Sequence, residues 1–347
     1  MEKLPQQARI EAFTQLGANI EQLINGTNES EHFDELWFNA YNRNTWFTKE
    51  SVLHAFKGIL KFLDQNTLED WIAQYPISNA SKPKIVGTIM AGNIPMVGFH
   101  DMLCILISGH ILKAKLSTAD SYLIKYLASQ LIKAEPRFND FINFAENLKE
   151  IDVLIATGSD NTARHFDYYF REKPRIIRRN RTACAVLKGD ETTEALEALA
   201  KDVFYYFGLG CRNVTKIYVP QNYSFEHLLQ VFEKPGRLAM ENHKYANNYD
   251  YNKSILLVNS IKHLDNGYLL LREEASLFSA ISTLHYEKYE NIEDVVKDLR
   301  DKENQIQCIV SDGGTIPNSL PFGYAQAPEI SDYADGIDTM AFLSNLD

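Results

Sequence analysis

Lys84-Ile-Val-Gly-Thr-Ile-Met-Ala-Gly-Asn-Ile-Pro95 is the stretch on which the fold turns. Its apolar run, Ile85 to Met90, has the length of a buried strand, and Ala-Gly-Asn-Ile-Pro stops it with turn formers. A helix is expected from there to Ile107, Ser108-Gly109 breaks it, and Ile111 to Leu116 reads as the next strand. Strands joined through a helix pair in parallel by right-handed crossovers, with ligands at their carboxyl ends. Downstream the alternation continues: helices at Ala119 to Lys133 and Phe138 to Leu148, a strand at Asp152 to Ala156, and the turn Thr157-Gly158-Ser159. A helix at Asn161 to Phe170 and strands at Arg175 to Arg178 and Ala183 to Leu187 follow. Asn93, Lys115 and Gly158-Ser159 all fall at carboxyl ends of expected strands.

Upstream, residues 5 to about 75 read as helices only. Thr48 can cap one in which Val52, Phe56, Ile59 and Leu63 share a face. Trp37, Trp46 and Trp71 lie here with Phe33, Phe38, Phe47 and Phe62. Such rings either pack a helical layer onto the sheet or line a channel for an apolar tail.

Past residue 188 the alternation starts afresh. A helix is expected at Thr192 to Tyr206, then strand Val214 to Val219, helix Phe225 to Phe232, and strands near Ile255 to Val258, Tyr268 to Leu271 and Ser279 to Tyr286. Helix Ile292 to Leu299 and strand Gln307 to Val310 complete the series, and a Gly/Pro-rich tail crosses back. The expected organisation is a helical region at 1–80, a nucleotide-binding domain at 81–187, a catalytic domain at 188–318 and a returning segment at 319–347, with the two domains facing each other across a cleft.

Between the helix and strand of the second domain lies Phe-Gly-Leu-Gly-Cys-Arg-Asn, residues 207–213. Glycines beside Cys211 leave room for a flat electrophile to reach its sulfur, whereas Cys104, Cys184 and Cys308 sit in aliphatic runs. On local context Cys211 is either a nucleophile or a small residue at a tight turn. Asn93 is equally a turn former, Lys115 and Glu273-Glu274 surface charges, and Gly158-Ser159 a capped turn.

The 347 residues carry a net charge of -11, which argues against nucleic acid or an anionic membrane as the main partner. Four cysteines without C-x-x-C spacing give neither a disulfide framework nor a zinc site, and no metal is expected. With no signal-like start and no span-length apolar run, a cytoplasmic setting is expected. His100, His110 and His243 are the histidines worth placing near a cleft. Arg178, Arg179 and Arg181 form either a paired charged face or a clamp for phosphates.

Taken in order, these motifs resemble the aldehyde dehydrogenase superfamily, and within it the fatty acyl-CoA reductase branch. Gly92-Asn93-Ile94-Pro95 is similar to its strand-end Asn motif, Gly109-His110 through Lys115-Leu116-Ser117 to its Gly-Asn to Lys-Pro-Ser segment, and Thr157-Gly158-Ser159 to its Thr-Gly-Ser turn. Gly208-Leu-Gly-Cys211 is similar to its nucleophile turn and Glu273-Glu274 with Phe278 to its Glu-x-Phe segment. Phe322-Gly-Tyr-Ala-Gln-Ala-Pro328, Asp332-Tyr-Ala-Asp-Gly-Ile-Asp338 and Asn44-Thr-Trp-Phe-Thr48 resemble the reductase branch in particular.

The resemblance implies an α/β fold of two Rossmann-like domains with an N-terminal helical region and an active-site cleft between them. It also implies reduction of a fatty acyl thioester to an aldehyde through a Cys211 acyl-enzyme, with Asn93 in the oxyanion hole. Lys115, Ser117, Thr118, Gly158, Ser159 and Glu274 would bind the dinucleotide. Thr118 stands where NAD-preferring relatives carry a Glu, and Ser117 and Thr118 can hydrogen-bond a 2′-phosphate, which favours NADPH, with NADH as the alternative. Arg175-Ile-Ile-Arg-Arg-Asn-Arg-Thr182 holds no carboxylate where hydrolytic relatives place a general base, which favours a reductase. The expected partner is acyl-CoA or another acyl thioester, in a homo-oligomer or a complex with an acyl-transfer protein. The competing readings are a short-chain acylating aldehyde dehydrogenase using NAD and CoA, and a non-catalytic assembly subunit.

Overall fold

The structure is a computed structural model that describes residues 4–25, 30–77, 82–158 and 160–346. The chain forms two compact units, Met1–Arg179 with Glu329–Asp347, and Asn180–Pro328.

The first unit opens with four helices, α1 (Gln6–Asn25), α2 (Ser30–Arg43), α3 (Lys49–Phe62) and α4 (Gln65–Ile72). Ile10, Phe13, Leu16, Ile20 and Leu23 recur at helical spacing along α1 and are buried. Thr48 caps α3 through Ser51 N–H at 3.2 Å, and Asp64 caps α4 through Thr67 N–H at 2.9 Å. Then come β1 (Ile85–Ile89), α5 (Phe99–Ile107), β2 (Ile111–Lys115), α6 (Ser121–Ala134), β3 (Ile142–Phe144), β4 (Val153–Thr157), α7 (Asp160–Tyr169) and β5 (Arg175–Arg178). The five strands pair in the order β3-β2-β1-β4-β5, all parallel. Helix α5 is apolar nearly all round, and Met102 to Ile107 are wholly buried. Phe33, Phe47, Phe56, Phe62 and Trp71 belong to the same core as α5 and β2. These rings pack the helical layer, each contributing roughly 1.5–3 kcal/mol on burial.

The second unit contains β6 (Thr182–Val186), α8 (Thr193–Phe204), β7 (Val214–Pro220), α9 (Glu226–Val231), α10 (Glu233–Met240) and α11 (His243–Val258). It continues with β8 (Leu264–Asp265), β9 (Leu270–Glu273), β10 (Thr283–Tyr289), α12 (Ile292–Asp301), β11 (Ile306–Ser311) and β12 (Ser319–Pro321). The sheet order is β12-β11-β6-β7-β10-β9-β8, parallel except for the β8–β9 pair.

Three expectations change. Phe138 to Leu148 is not a helix: Pro136 opens a one-turn 3-10 helix ending at Asp140, and β3 follows as an edge strand on β2. Ile255 to Val258 is not a strand but the last turn of α11, whose start Asn242 caps through Lys244 N–H. The units divide at Asn180 rather than near residue 188, because β6 pairs with β7 and β11 of the second sheet.

The C-terminal segment ends in α13 (Thr339–Ser344) and belongs to the first unit. Tyr333 Oη accepts from Trp71 Nε1 at 2.9 Å and lies 2.7 Å from Tyr75 Oη, which donates to Asp338 at 3.0 Å. Asp338 also caps α13 through Ala341 N–H at 2.8 Å. His110 Nδ1 accepts from Lys84 N–H, so its Nε2 carries the proton and donates to Leu343 carbonyl at 3.1 Å. Burial lowers the His110 pKa, which favours this neutral form. Arg178 is 4 % exposed and donates to Asp101 at 2.7 Å and to Thr339 at 2.9 Å. Arg181 donates to the carbonyls of Glu303 and Ile306.

Removing one member of the Arg178–Asp101 pair leaves a buried charge uncompensated. Asp101→Asn should cost about 3–5 kcal/mol in urea unfolding, and the double variant Arg178→Met/Asp101→Leu clearly less. Equal losses in the two variants would contradict this account.

Candidate active site

In the first sheet the chain passes from β1 outward to β2 and β3, then returns to β4 and β5 on the other side. The carboxyl ends of β1 and β4 therefore form the switch point at which open α/β sheets take ligands. Ile89 is in register with Lys115 on one side and Ala156 on the other, so the turn carrying Asn93 rises between Lys115 and Thr157-Gly158. Asn93, Lys115 and Thr118 are exposed there, and Ser117 and Gly158 are half-buried. Ser159 lies outside the described residues.

Two contacts lock the β1 turn to the β2 turn. Met90 N–H donates to Lys115 carbonyl at 3.1 Å. A Cβ on Gly92 would lie 2.6 Å from Ser117 Oγ, so only glycine permits this approach. These side by side turns, with an exposed lysine, hydroxyls and backbone on one rim, fit the phosphates and riboses of a dinucleotide.

In the second unit α8 ends abruptly. Tyr206, Phe207 and Gly208 take φ of 51°, 58° and 79° in succession, a left-handed run that costs two non-glycine residues on the order of 1 kcal/mol each. Asn213 holds the strained run in place. It is fully buried, its Oδ1 accepts from Gly210 N–H at 2.8 Å, and its Nδ2 donates to the carbonyls of Asp202, Val203 and Tyr205 at 3.1, 3.3 and 2.7 Å. Asn213 N–H closes the loop on Gly210 carbonyl at 3.0 Å. Cys211, at the tip of that loop, is exposed, whereas Cys104 and Cys184 are buried and Cys308 half-buried. Burial raises the Cys104 thiol well above its ordinary value and pushes Cys184 up to about 12, so both stay protonated and inert.

Glu274 follows β9 and opens the loop that returns to the start of β10. It pairs with Arg272 and accepts from Ala275 N–H at 3.0 Å. The Ser276 N–H and then Arg272 hold its carboxyl below the usual range. Three successive carbonyls of this loop are pinned from strands beneath: Lys216 Nζ donates to Ala275 at 2.7 Å, His285 Nδ1 to Ser276 at 2.9 Å and Thr215 Oγ1 to Leu277 at 2.6 Å. Lys216 is fully buried and meets Glu287 at 2.5 Å. These pins, Asn213 included, belong to no motif in the sequence. A lysine at the centre of β7, among Val214, Ile217 and Val219, was the one available signal.

Of the three histidines, His110 is a structural staple, His100 Nε2 bonds Ile330 carbonyl at 2.8 Å, and His243 sits exposed at the start of α11. Among the described residues no group of His, Cys, Asp or Glu could hold a metal ion. No helix among them is long and apolar enough to cross a membrane.

Asp202, fully buried on α8, accepts from Gly323 N–H at 2.6 Å and Ala325 N–H at 3.1 Å. Burial pushes its carboxyl up to about 7, with those two donors opposing. The unfolded value is about 3.9, so between these two pH values the native state binds more protons than the unfolded chain. Stability should therefore fall as pH rises from about 4 to 7, by on the order of 3–4 kcal/mol, and then level off. Urea unfolding at pH 5 and pH 8 should show the larger part of this fall in the wild type and a flatter dependence in Asp202→Asn. Parallel pH dependences would contradict the assignment.

Residues 11–249, more than half of the chain, match the family described as Acyl-CoA reductase (LuxC). Comparison with curated protein sequences yields no significant match. Among solved structures, the aldehyde dehydrogenase KauB from Pseudomonas aeruginosa superposes with a TM-score of 0.65 at 12% identity, covering 89% of this chain and 72% of that one. The indole-3-acetaldehyde dehydrogenase AldA of P. syringae, solved with NAD+ and IAA, gives 0.66 at 11% identity, covering 93% and 75%. A NAD-dependent benzaldehyde dehydrogenase from Corynebacterium glutamicum gives 0.66 at 12% identity, covering 89% and 76%. At such identities the likeness shows the aldehyde dehydrogenase fold. The family match goes further: the chain belongs to the LuxC acyl-CoA reductase family, oxidoreductases acting on acyl and aldehyde groups.

Proposed function

We propose that this reductase works through a covalent acyl-enzyme on Cys211, with NADPH as the preferred reductant. The carrying observation is that Cys211 is exposed at the tip of a strained, amide-braced turn while the other cysteines are wholly or partly buried. The Cys211 sulfur attacks the thioester carbonyl carbon. The new C–Sγ bond forms, the bond to the coenzyme A sulfur breaks, and the departing thiolate takes up the proton that Cys211 gave up. Asn93 is the proposed donor, through its Nδ2, to the oxygen that becomes negative in that step. A neutral amide suits this role, since it stabilises charge without a proton to lose.

Lys115 would hold the adenosine ribose of the dinucleotide with Ser117 and Thr118 beside it, Gly158 and Ser159 would approach the cofactor, and Glu274 would hold the nicotinamide ribose. When bound, the dinucleotide would supply hydride to the enzyme-held acyl carbon, and breaking of the C–Sγ bond would release the aldehyde and return the Cys211 thiolate. Water has no activating carboxylate between Arg175 and Thr182, where Ile177 on β5 is half-buried. The thioester is thus kept for reduction rather than hydrolysis. Ser117 and Thr118 offer hydroxyls to a 2′-phosphate and no carboxylate to repel it. Phe33, Phe47, Phe56, Phe62 and Trp71 belong to the core, whereas Phe38 is exposed.

Cys211→Ser should abolish aldehyde formation from acyl-CoA while leaving NADPH binding within about threefold. The wild type should show a higher kcat/KM with NADPH than with NADH, and Thr118→Glu should reverse the preference by about tenfold or more. Unchanged turnover in Cys211→Ser would exclude the covalent route and favour an assembly role. A wild-type preference for NADH would overturn the cofactor assignment.

A further inference from the structure

We propose that Asp120 is a positioning residue for acyl transfer, acting through its bond to the turn that carries Asn93. Asp120 ends the Lys115–Asp120 turn, just before α6, and is 3 % exposed. Its Oδ2 accepts from Met96 N–H at 2.6 Å. Met96 has φ of 57°, a left-handed conformation that a methionine takes only when its surroundings enforce it. The Met96 side chain is itself buried, and its carbonyl accepts from Phe99 N–H at 2.9 Å, so the bond to Asp120 fixes the last corner between Asn93 and α5.

The β1 turn is therefore fastened at its start by Met90 on Lys115, in its middle by Gly92 on Ser117, and at its end by Met96 on Asp120. Asn93 lies between the second and third fastenings. The Lys115–Asp120 turn does not need the carboxylate for its own shape: Asp120 N–H donates to Ser117 carbonyl at 3.2 Å and Ala119 N–H to Ser117 Oγ at 3.2 Å. Losing the carboxylate should then free the Asn93 turn and leave the dinucleotide rim intact.

Among the described residues Asp120 Oδ1 has no hydrogen-bond partner, so what the site asks of this side chain is one acceptor. Burial raises its carboxyl well above the ordinary range, with the Met96 N–H opposing, so a neutral group is tolerated there. An amide can stand in for the acid.

The inference rests on the proposed role of Asn93, and the experiment separates the two. Acyl-enzyme formation is followed in single turnovers with labelled acyl-CoA and no dinucleotide, and NADPH affinity is measured separately by fluorescence titration. Asp120→Leu should slow acylation by about 10- to 100-fold, because displacing an oxyanion donor by roughly an ångström costs that order, and should leave the NADPH Kd within about threefold. Asp120→Asn, which keeps the acceptor, should acylate within about threefold of wild type. Should the leucine variant fail to fold, Asp120→Ala is read the same way. Wild-type acylation in the variant without an acceptor, an asparagine variant as slow as leucine, or an equal loss of NADPH affinity each overturns the proposal. Asn93→Ala run in parallel identifies which reading is at fault. If it acylates normally, the oxyanion assignment falls. If it is slow while Asp120→Leu is fast, only the role of Asp120 falls.

Discussion

One buried amide, Asn213, holds the turn on which Cys211 is exposed. Its four hydrogen bonds satisfy the last carbonyls of α8 and close the loop from Gly210 onto itself. Helix ends leave carbonyls without partners, and burying them unbonded costs on the order of 1–3 kcal/mol each. A side chain that meets three of them at once offsets the strain at Tyr206 and Phe207. With the loop closed, Cys211 has nowhere to go but outward. The same helix end carries Asp202, which draws in Gly323 and Ala325, so the reductase-like 322–328 segment is organised by the element that sets the cysteine.

A parallel logic runs through the first unit. Parallel strands gather their loops at one end, and glycine at position 92 lets two of those loops touch. The rim that results is built from backbone and short polar side chains, which suits a ligand made of phosphates and sugars. The ends of the unit are tied elsewhere. Trp71, Tyr75, Tyr333 and Asp338 form one connected polar chain, and Arg178 with Asp101 and Thr339 a second, both holding the returning C-terminal segment. Buried charge and aromatic rings of the first unit are used to anchor that segment.

Much of this was legible in the sequence because short apolar runs stopped by glycine, asparagine or proline have few alternatives. β1, β2 and β4 were readable for that reason, as was α3 with its threonine cap. Ile255 to Val258 misled because β-branched and leucine residues cluster at the end of a helix long enough to carry them. β3 was missed because three residues give no periodicity and Pro136 only signals the end of α6. The motifs located Asn93, Lys115 and Cys211 on loops, yet not the groups that hold those loops. Asn213 and Asp120 look like ordinary turn formers, and Asp202 like a surface charge on a helix. Their partners are backbone groups, some more than a hundred residues away, as for Asp202 and Gly323, and no side-chain pattern records them.

The central claim is that a single sulfur accepts the acyl group. Incubation of the wild-type protein with acyl-labelled coenzyme A thioester in the absence of dinucleotide, followed by peptide mapping, tests it most directly. The label should sit on the peptide containing Cys211 and be released by hydroxylamine, as a thioester would be. Label on Cys104, Cys184 or Cys308, or an acyl group that never becomes covalent, would contradict the account.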